Sequence, residues 1–384
     1  MRVEHLVVKN WRNFKSADIA VHDRVFIVGP NASGKSNLLD ALRFLRDVAA
    51  IGGGLQQALR TRGGIKHVRC LAARNYNKGR VALEIGLRDD EGDRWRYELH
   101  FSAERRGIHR PIVREEIVRR NEEVVLQRPD QDDEQDSELL TQTALEQVRS
   151  NRDFRVVTEF LAGIRYRHLV PQIIRDPELG KEDQQDPFGS DILVEIARTR
   201  EKTRNLRLTL VNKALSSALP QLEQMVLTRD ETGSPHLEAR YGHWRERGAI
   251  QDERDFSDGT LRLIGLLWLL AERASKANRV LLLEEPELSL HPAIVRELPT
   301  ILSRVVRTGG PQVILSTHST DMLADEGLGL DEVVVLRPSS EGTEAQTASE
   351  IAGIDDLLKA GMNLGEIVEP YTRPEGISEL PRFP

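Results

Sequence analysis

The sequence is poor in cysteine and in aromatic residues. Cys70 is its one cysteine among 384 residues, and aromatic residues make up 5%. A single cysteine excludes an internal disulfide framework and fits a reducing compartment. The longest apolar stretch, residues 263–271, falls well short of the roughly 20 residues that a membrane-spanning helix needs. The N-terminus has no apolar signal-peptide core. We therefore expect a cytoplasmic protein without a membrane partner.

Charged residues are abundant, but their net charge is small. They make up 30% of the chain, and the formal net charge is -7. This balance argues against wholesale coating of DNA, although local basic patches still act on phosphates. Such patches fit a DNA interface or an ordinary solvated face, and both explanations stay open. The first cluster holds Arg60, Arg62, Lys66, Arg69, Arg74, Lys78 and Arg80, and the second holds Arg198, Arg200, Lys202, Arg204 and Arg207.

A glycine-rich loop is the most informative segment of the chain. Residues 29–36 read G-P-N-A-S-G-K-S and match the phosphate-loop pattern G-x-x-x-x-G-K-[ST]. An apolar run precedes the loop and a helical pattern over 36–50 follows it. Glycines let backbone N–H groups wrap phosphates, Lys35 adds a charge at the outer phosphates, and Ser36 offers a hydroxyl to Mg²⁺. The sequence therefore predicts binding of a nucleoside triphosphate.

Hydrophobic periodicity divides the chain into four parts. Residues 1–130 hold the phosphate loop and an alternating pattern over 80–126 that is typical of an antiparallel meander. Residues 131–224 have helical spacing and look like an insertion. Residues 225–345 return to alternating helices and strands, and residues 346–384 form a tail that either docks a partner or is a surface helix with a loose end. We expect the acidic stretch 127–138 to be a solvated loop.

Two further strand ends carry polar residues. Residues 281–287 read L-L-L-E-E-P-E, a buried strand that ends in adjacent carboxylates. We assign Glu284 to the metal and Glu285 to the attacking water. His318 follows the strand 313–315, where an imidazole can sense a γ-phosphate.

A third segment, residues 256–260 (F-S-D-G-T), opens a helix. Ser257 or Asp258 can cap that helix, whose free N–H groups favour an anion, and Gly259 lets a phosphate approach the backbone. When the segment is taken alone, an ordinary capped core helix is the better explanation.

In this order the motifs resemble those of the ABC-type ATPase family, in its soluble branch of SMC, RecF and OLD-like proteins. The resemblance covers most of residues 1–90 and 225–340. It implies an α/β fold, an ABC-type P-loop ATPase head with an antiparallel β subdomain and a helical insertion. The matching parts are Walker A at 29–36, the signature at 256–260, Walker B at 281–285, the switch histidine His318, and an N-terminal strand and turn at 9–16.

The resemblance also implies ATP and Mg²⁺ as cofactors and gives roles to individual residues. Ser36 and Glu284 correspond to metal ligands, and Glu285, His318 and Lys35 to catalytic residues. In this family two heads close around two ATP molecules, so a homodimer through the ATP sites is expected. The expected nucleotide contacts are Arg12, Asn13, Gly29, Asn31, Ser33, Gly34, Lys35, Ser36, Asn37, Ser257, Asp258 and Gly259.

The chain departs from the family pattern at several positions. Ala32 replaces a usual glycine, and Glu284 replaces the usual Walker B aspartate. The signature 256–260 differs from the transporter type, which argues against a transporter subunit. Gln56 and Gln57 are candidates for the family's Q-loop, or are simply exposed helix residues.

The resemblance favours an ATPase that regulates or loads a DNA-acting partner in antiphage defence or DNA repair. OLD-type proteins carry a Toprim nuclease domain after the ATPase, but here fewer than 70 residues follow Ser319 and they contain no Asp-x-Asp pair. We therefore expect any nuclease or effector to be a separate chain. The alternatives are an ATP-dependent assembly scaffold with little turnover, a transporter ATPase subunit and a small-molecule kinase.

Overall fold

The structure, a computed structural model, describes residues 1–72, 79–104, 109–176, 186–242, 249–275 and 279–373. Apart from short 3₁₀ turns, the elements in chain order are β1 (Arg2–Trp11), β2 (Phe14–Ala20), β3 (Arg24–Val28), α1 (Lys35–Ala49), α2 (Leu55–Arg60), α3 (Ile65–Val68), β4 (Val81–Arg88), β5 (Arg94–Ala103), β6 (Pro111–Arg120), β7 (Glu123–Arg128), α4 (Gln131–Gln135), α5 (Arg155–Ala162), β8 (Ile164–Arg167), α6 (Pro171–Arg175), α7 (Ile192–Arg198), α8 (Glu201–Ala218), β9 (Leu222–Arg229), β10 (Pro235–Tyr241), β11 (Ala249–Asp252), α9 (Asp258–Leu270), β12 (Val280–Glu284), α10 (Pro292–Arg307), β13 (Gln312–Thr317), α11 (Thr320–Leu323), β14 (Val333–Ser339), β15 (Gly342–Thr347), α12 (Ile354–Lys359) and α13 (Leu364–Thr372).

A mostly parallel sheet carries the sequence motifs. Its six strands have the order β15-β14-β3-β13-β12-β8, and only β15 is antiparallel to its neighbour. The phosphate loop follows β3, the carboxylate pair ends β12, and His318 follows β13. Because the carboxyl ends of parallel strands share one edge, these three segments meet there.

Helices cover both faces of this sheet. Val25 and Ile27 of β3 belong to the hydrophobic cluster that contains α1, whereas Phe26 and Val28 belong to the cluster that contains α9. Alternate side chains of a strand point to opposite faces, which explains the division. Strands buried on both faces read as continuous apolar runs, as residues 25–28 do.

The antiparallel β subdomain predicted from the alternation over 80–126 is confirmed. A second six-stranded sheet has the order β2-β1-β4-β5-β6-β7, and every pair in it is antiparallel. A third sheet of three strands, β11-β10-β9, lies in the chain just before α9.

The segment 131–224, predicted as a helical insertion, also contributes a strand to the core sheet. It contains α4 to α8, and β8 pairs in parallel with β12, with Tyr166 opposite Leu282. The strand is only four residues long and reads I-R-Y-R, too short for periodicity to identify.

The prediction of a solvated loop over 127–138 is only partly right: most of its side chains are exposed, but residues 131–135 form a helix and the side chains of Arg128 and Asp133 are buried. Asp130 caps the short helix α4. Asp133 is buried and pairs with Arg128 at 2.6 Å between Oδ1 and Nη2. Arg128 also pairs with the fully buried Glu116 of β6. A run of acidic residues looks solvated in the sequence because its buried basic partner is not apparent there.

Candidate functional site

The phosphate loop is a tight turn that requires its glycine at residue 34. Gly34 has φ 98°, the left-handed region, and α1 begins at the next residue. A Cβ on Gly34 would lie 2.1 Å from Nδ2 of Asn13. Ala32 also has a positive φ, 62°, which gives a physical reason for the glycine usual at this position in the family.

Asn13 and Asn37, both expected to contact nucleotide, are bonded to each other beneath the loop. Nδ2 of Asn37 donates to Oδ1 of Asn13 at 2.9 Å. Nδ2 of Asn13 donates to the carbonyl of Ser33 at 2.7 Å and to Oγ1 of Thr343 at 2.6 Å. Thr343, on β15, donates to the same Ser33 carbonyl at 2.9 Å. The amides therefore hold the loop in shape, a task that the sequence did not reveal.

Arg12 is likewise engaged within the chain. Its guanidinium donates to Oδ2 of Asp40 at 2.8 Å and to the carbonyl of His67 at 3.0 Å. Arg62 binds the same Asp40 and also pairs with Asp47 at 2.8 Å. Burial opposes ionisation of Asp40, but the two arginines outweigh it and hold the pKa of that carboxyl below its usual value. The Arg62 side chain is only 6% exposed, so its assignment to a DNA-binding patch is wrong.

Lys35 lies buried where the three motif segments meet. Its Nζ donates to the carbonyls of Gly29 at 3.0 Å and Pro30 at 3.1 Å. Burial lowers the pKa of Lys35 to about 8, although nearby carboxylates, first that of Glu285, oppose the shift. The ammonium therefore donates to backbone carbonyls of the loop. An outer phosphate of a bound nucleotide can replace these carbonyls as its partner.

Glu285 and His318 form a direct contact at the carboxyl edge of the sheet. Oε1 of Glu285 is 3.0 Å from Nε2 of His318, and Nδ1 of His318 is 3.4 Å from Nζ of Lys35. Burial and then the charge of Lys35 lower the pKa of His318, outweighing Glu285. The imidazole is therefore neutral at neutral pH and able to accept or pass on a proton.

The backbone of Glu285 has a positive φ of 44°, which is costly for a residue with a side chain. Two hydrogen bonds hold it there. Its N–H donates to the carbonyl of Ser316 at 3.0 Å, and Nη1 of Arg262, on α9, donates to its carbonyl at 3.2 Å. The first residues of α9 are thereby connected to the carboxylate pair of the same chain.

Ser36 and Glu284, the expected metal ligands, are in contact. The Ser36 hydroxyl donates to Oε1 of Glu284, and the Tyr166 hydroxyl donates to Oε2. Hard oxygen donors of this kind suit Mg²⁺, so the residues fit the metal that the family implies. Burial and then the charge of Glu284 raise the pKa of Tyr166, which keeps the phenol protonated as a donor. Tyr166 had no sequence signal, because it lies on the short strand β8.

Glu287 is a second residue that the sequence reading missed. It is 8% exposed, and its Oε1 accepts from Oγ1 of Thr317 at 2.6 Å and from the N–H of His318 at 3.0 Å. Burial raises the pKa of Glu287. Its place two residues after Glu285, just beyond the end of β12, was the available clue.

The signature segment is held by contacts of its own chain. Ser257 caps α9 by accepting from the N–H of Thr260 at 3.2 Å. Both carboxylate oxygens of Asp258 are engaged by α6, through Arg175 at 2.8 Å and Gln172 at 2.7 Å. Among the residues that the structure describes, no hydrogen bond or ion pair joins residues 256–260 to the phosphate loop. A nucleotide contact by Ser257, Asp258 or Gly259 stays a prediction.

The remaining sequence candidates have structural roles or lie elsewhere. Nε2 of Gln56 donates to the carbonyls of Pro111 at 2.7 Å and Thr141 at 2.9 Å, and so ties α2 to β6. Arg207 is buried with its guanidinium 3.7 Å from the ring centroid of Trp268, and its place in a DNA-binding cluster is therefore wrong. Arg74 and Lys78 lie outside the described residues.

Comparison with known families decides the classification. Residues 24–324 match the family described as "AAA domain, putative AbiEii toxin, Type IV TA system". The chain belongs to this AAA family. The match spans the phosphate loop, the signature segment, the carboxylate pair and His318.

Curated relatives place this AAA-family chain among ABC-type ATPases of the SMC/RecF/OLD branch. It is 26% identical to the Old nuclease of Escherichia phage P2 over 199 residues, 47% of the chain and 33% of that protein. It is 47% identical to the DNA replication and repair protein RecF of Desulforamulus reducens over 45 residues, 12% of each. The chain thus matches a third or less of the length of these two relatives.

A solved structure confirms the predicted head fold. A structure described as the SmcHead bound to the C-winged helix domain of ScpA has a TM-score of 0.52 and 14% identity, and the similarity covers 90% of the AAA-family chain and 98% of that structure. At this identity the likeness establishes the fold alone. No helix among the described residues is long and apolar enough to span a membrane.

Proposed function

We propose that this chain hydrolyses ATP to ADP and phosphate in a site completed by a second copy of itself. The observation that carries the proposal is the contact series from Glu285 through His318 to Lys35, with distances of 3.0 and 3.4 Å. A base, an imidazole that orients it and a phosphate-binding cation suit this reaction, and they stand together at the end of the loop.

The chemistry assigned to these residues is simple. Glu285 orients a water and takes its proton as the water oxygen bonds to the γ-phosphorus and the bond to the β–γ bridging oxygen breaks. The leaving oxygen remains on ADP. Lys35 stabilises the charge on the outer phosphates. Neutral His318 donates from Nε2 and holds Glu285 in place, and Glu285 then releases the proton to the departing phosphate or to solvent. Bound Mg²⁺, held by Ser36 and Glu284, would neutralise charge on the phosphate oxygens.

The second copy is proposed from the signature segment. Ser257 begins a 13-residue helix, and such an N-terminus favours an anion. Because no hydrogen bond or ion pair among the described residues joins 256–260 to the phosphate loop of their own chain, we infer that the anion they suit is the ATP of a partner copy. ATP then joins two heads, and hydrolysis separates them.

Glu285→Gln tests the proposal, because the amide keeps the size of the side chain and loses the base. We expect this variant to bind ATP, to form a lasting ATP-dependent dimer in light scattering, and to release no phosphate. Asp331→Asn, on a half-exposed carboxylate near His22, is the matched control and should behave as wild type. Wild-type rates of phosphate release from Glu285→Gln would remove the assignment of the base.

We further propose that the ATP-bound dimer regulates a DNA-acting partner chain in defence or repair. A cleft of about 1250 Å³ supports a role with DNA, because Arg60, Lys66 and His67 line it and Glu146 is its only described acidic lining residue. Arg198, Arg200 and Lys202 are exposed as a second basic group. Names of the relatives, a nuclease and a repair protein, point in the same direction.

Charge reversal at the cleft tests this second proposal. Arg60→Glu with Lys66→Glu should weaken duplex DNA binding and reduce its dependence on salt by about one charge per lysine or arginine removed. Lys359→Glu, on α12, is the control, since its side chain is exposed and belongs to neither basic group. DNA binding that ignores ionic strength would contradict the DNA role. Negligible hydrolysis both with and without DNA or a partner would favour the scaffold alternative.

A further inference from the structure

Two hydroxyl donors on separate elements bond the carboxylate of Glu284, one to each of its oxygens. The Ser36 hydroxyl, at the start of α1, donates to Oε1, and the Tyr166 hydroxyl, on β8, donates to Oε2. The first contact belongs to the metal site described above. The second joins the core sheet's edge strand to that site, and neither the family assignment nor the sequence gave it a role.

Register explains why Tyr166 reaches this carboxylate. β8 runs parallel to β12 with Tyr166 opposite Leu282. Glu284 comes two residues after Leu282, so its side chain leaves the strand on the same face as that of Leu282. Tyr166 packs against the hydrophobic cluster that includes Leu282. The phenol therefore extends along this face toward the strand end, where Glu284 stands.

The tyrosine ring is itself held in position. The guanidinium of Arg43, on α1, lies 4.8 Å from the centroid of the Tyr166 ring. A cation over an aromatic face is attracted to it, and planar guanidinium groups favour such stacking. α1 thus fixes both donors, Ser36 at its first turn and the Tyr166 ring through Arg43.

A glutamate needs this support more than an aspartate does. Its extra methylene adds a rotatable bond, so more conformational freedom must be lost before the carboxylate faces a ligand. A hydrogen bond to a charged acceptor is strong enough to select one rotamer. With Oε2 held by Tyr166, Oε1 is directed toward Ser36.

We propose that Tyr166 is a positioning residue for the metal site, and that it adapts the site to glutamate at position 284. This inference rests on the proposed ATP and Mg²⁺ binding. Tyr166 does not touch the reacting atoms; it acts by fixing the rotamer of Glu284. Its removal should therefore weaken the Mg²⁺-dependent part of ATP binding and leave the loop's own phosphate contacts intact.

The test measures the affinity for a fluorescent N-methylanthraniloyl ATP with Mg²⁺ and with EDTA, in wild type and in Tyr166→Phe. Phenylalanine keeps the ring under Arg43 and removes only the hydroxyl. We expect the ratio of the two affinities to fall about tenfold, the loss typical of a hydrogen bond to a charged group. The EDTA affinity should not change, which also shows that the variant is folded. Tyr241→Phe, on β10, is the matched control and should keep the wild-type ratio.

A double-variant cycle separates positioning from packing. An aspartate at 284 is too short to keep the Tyr166 contact, so Tyr166→Phe should have little further effect in Glu284→Asp. Equal ratios in wild type and Tyr166→Phe would overturn the inference, and so would an equal loss in the Glu284→Asp background. Failure of the wild type to bind the probe at all would instead contradict the proposed function.

Discussion

The carbonyl oxygen of Ser289 occupies the space that a side chain on Gly259 would need. A Cβ on Gly259 would lie 2.5 Å from that oxygen, a distance that real Cβ atoms do not reach. The glycine of the signature segment is therefore required by the chain that contains it, whatever a partner copy brings. Ser289 follows the carboxylate pair and has a positive φ of 64°, so the two motifs pack against each other within one head.

Gly259→Ala should consequently destabilise the isolated head. Because the neighbouring atom is backbone, the segment must shift, and overpacking of this kind costs about 1–3 kcal/mol. Urea unfolding without nucleotide measures the change. Gly242→Ala is the control, since its nearest neighbour is the end of the flexible Glu223 side chain at 3.3 Å. A wild-type unfolding curve for Gly259→Ala would contradict the packing explanation.

Ala32→Gly should stabilise the chain. Ala32 sits in the left-handed region, which costs an alanine roughly 1–2 kcal/mol, and glycine's greater freedom in the unfolded state offsets part of the gain. We expect the free energy of unfolding to rise by about 0.5–1 kcal/mol. Ala41→Gly, in the middle of α1, is a contrasting variant and should destabilise. A loss of stability in Ala32→Gly would show that the loop is unstrained.

Arg62 and Arg60 should give opposite results although they are close in the sequence. Arg62→Ala leaves the carboxylates of Asp40 and Asp47 without this partner and should cost about 3 kcal/mol in unfolding. Arg60 is exposed, so Arg60→Ala should change stability by less than about 0.5 kcal/mol while weakening DNA binding. Thermal melts and DNA titrations distinguish the two. A stable Arg62→Ala variant would restore Arg62 as a surface residue.

Glu146 should make stability depend on pH. Burial raises the pKa of Glu146 to about 7. Between its ordinary value and pH 7 the folded chain holds a proton that the unfolded chain releases, so this group's contribution to stability is full at low pH and falls as the pH rises to about 7.

Glu146→Gln removes that dependence. Its amide oxygen can still accept from the N–H of Leu55, which Oε2 of Glu146 does at 2.6 Å. The variant should gain stability relative to wild type from pH 5 to pH 8, by about 2 kcal/mol once solvent screening is allowed for. Parallel urea curves of the two proteins at both pH values would show that the carboxyl titrates normally.

The sequence predicted the core sheet and its motif ends because those signals are local. Continuous apolar runs mark the buried strands β3, β12 and β13, and each is followed directly by its polar residues. The antiparallel sheet was predictable from alternation over long strands. These elements fixed which segments meet at the carboxyl edge.

What the sequence could not provide were contacts between distant short segments. Tyr166 on β8 and Thr343 on β15 support the site from strands of four and six residues. Arg62 and Arg207 read as surface charges, because their buried partners Asp40 and Trp268 lie elsewhere in the chain. An arginine has a long apolar part as well as a charge, so composition and spacing do not show whether it is buried.

The shared site is the central claim, and mixing two inactive variants tests it most directly. Lys35→Ala removes the phosphate-binding cation. Ser257→Asp keeps a good helix cap but sets a negative charge where the partner's ATP would lie. Each variant alone should release almost no phosphate. An equal mixture should recover roughly one quarter of the wild-type rate, because half of the dimers are mixed and each mixed dimer has one intact site. A mixture no more active than its two components, or a fully active Ser257→Asp, would contradict a site shared between two copies.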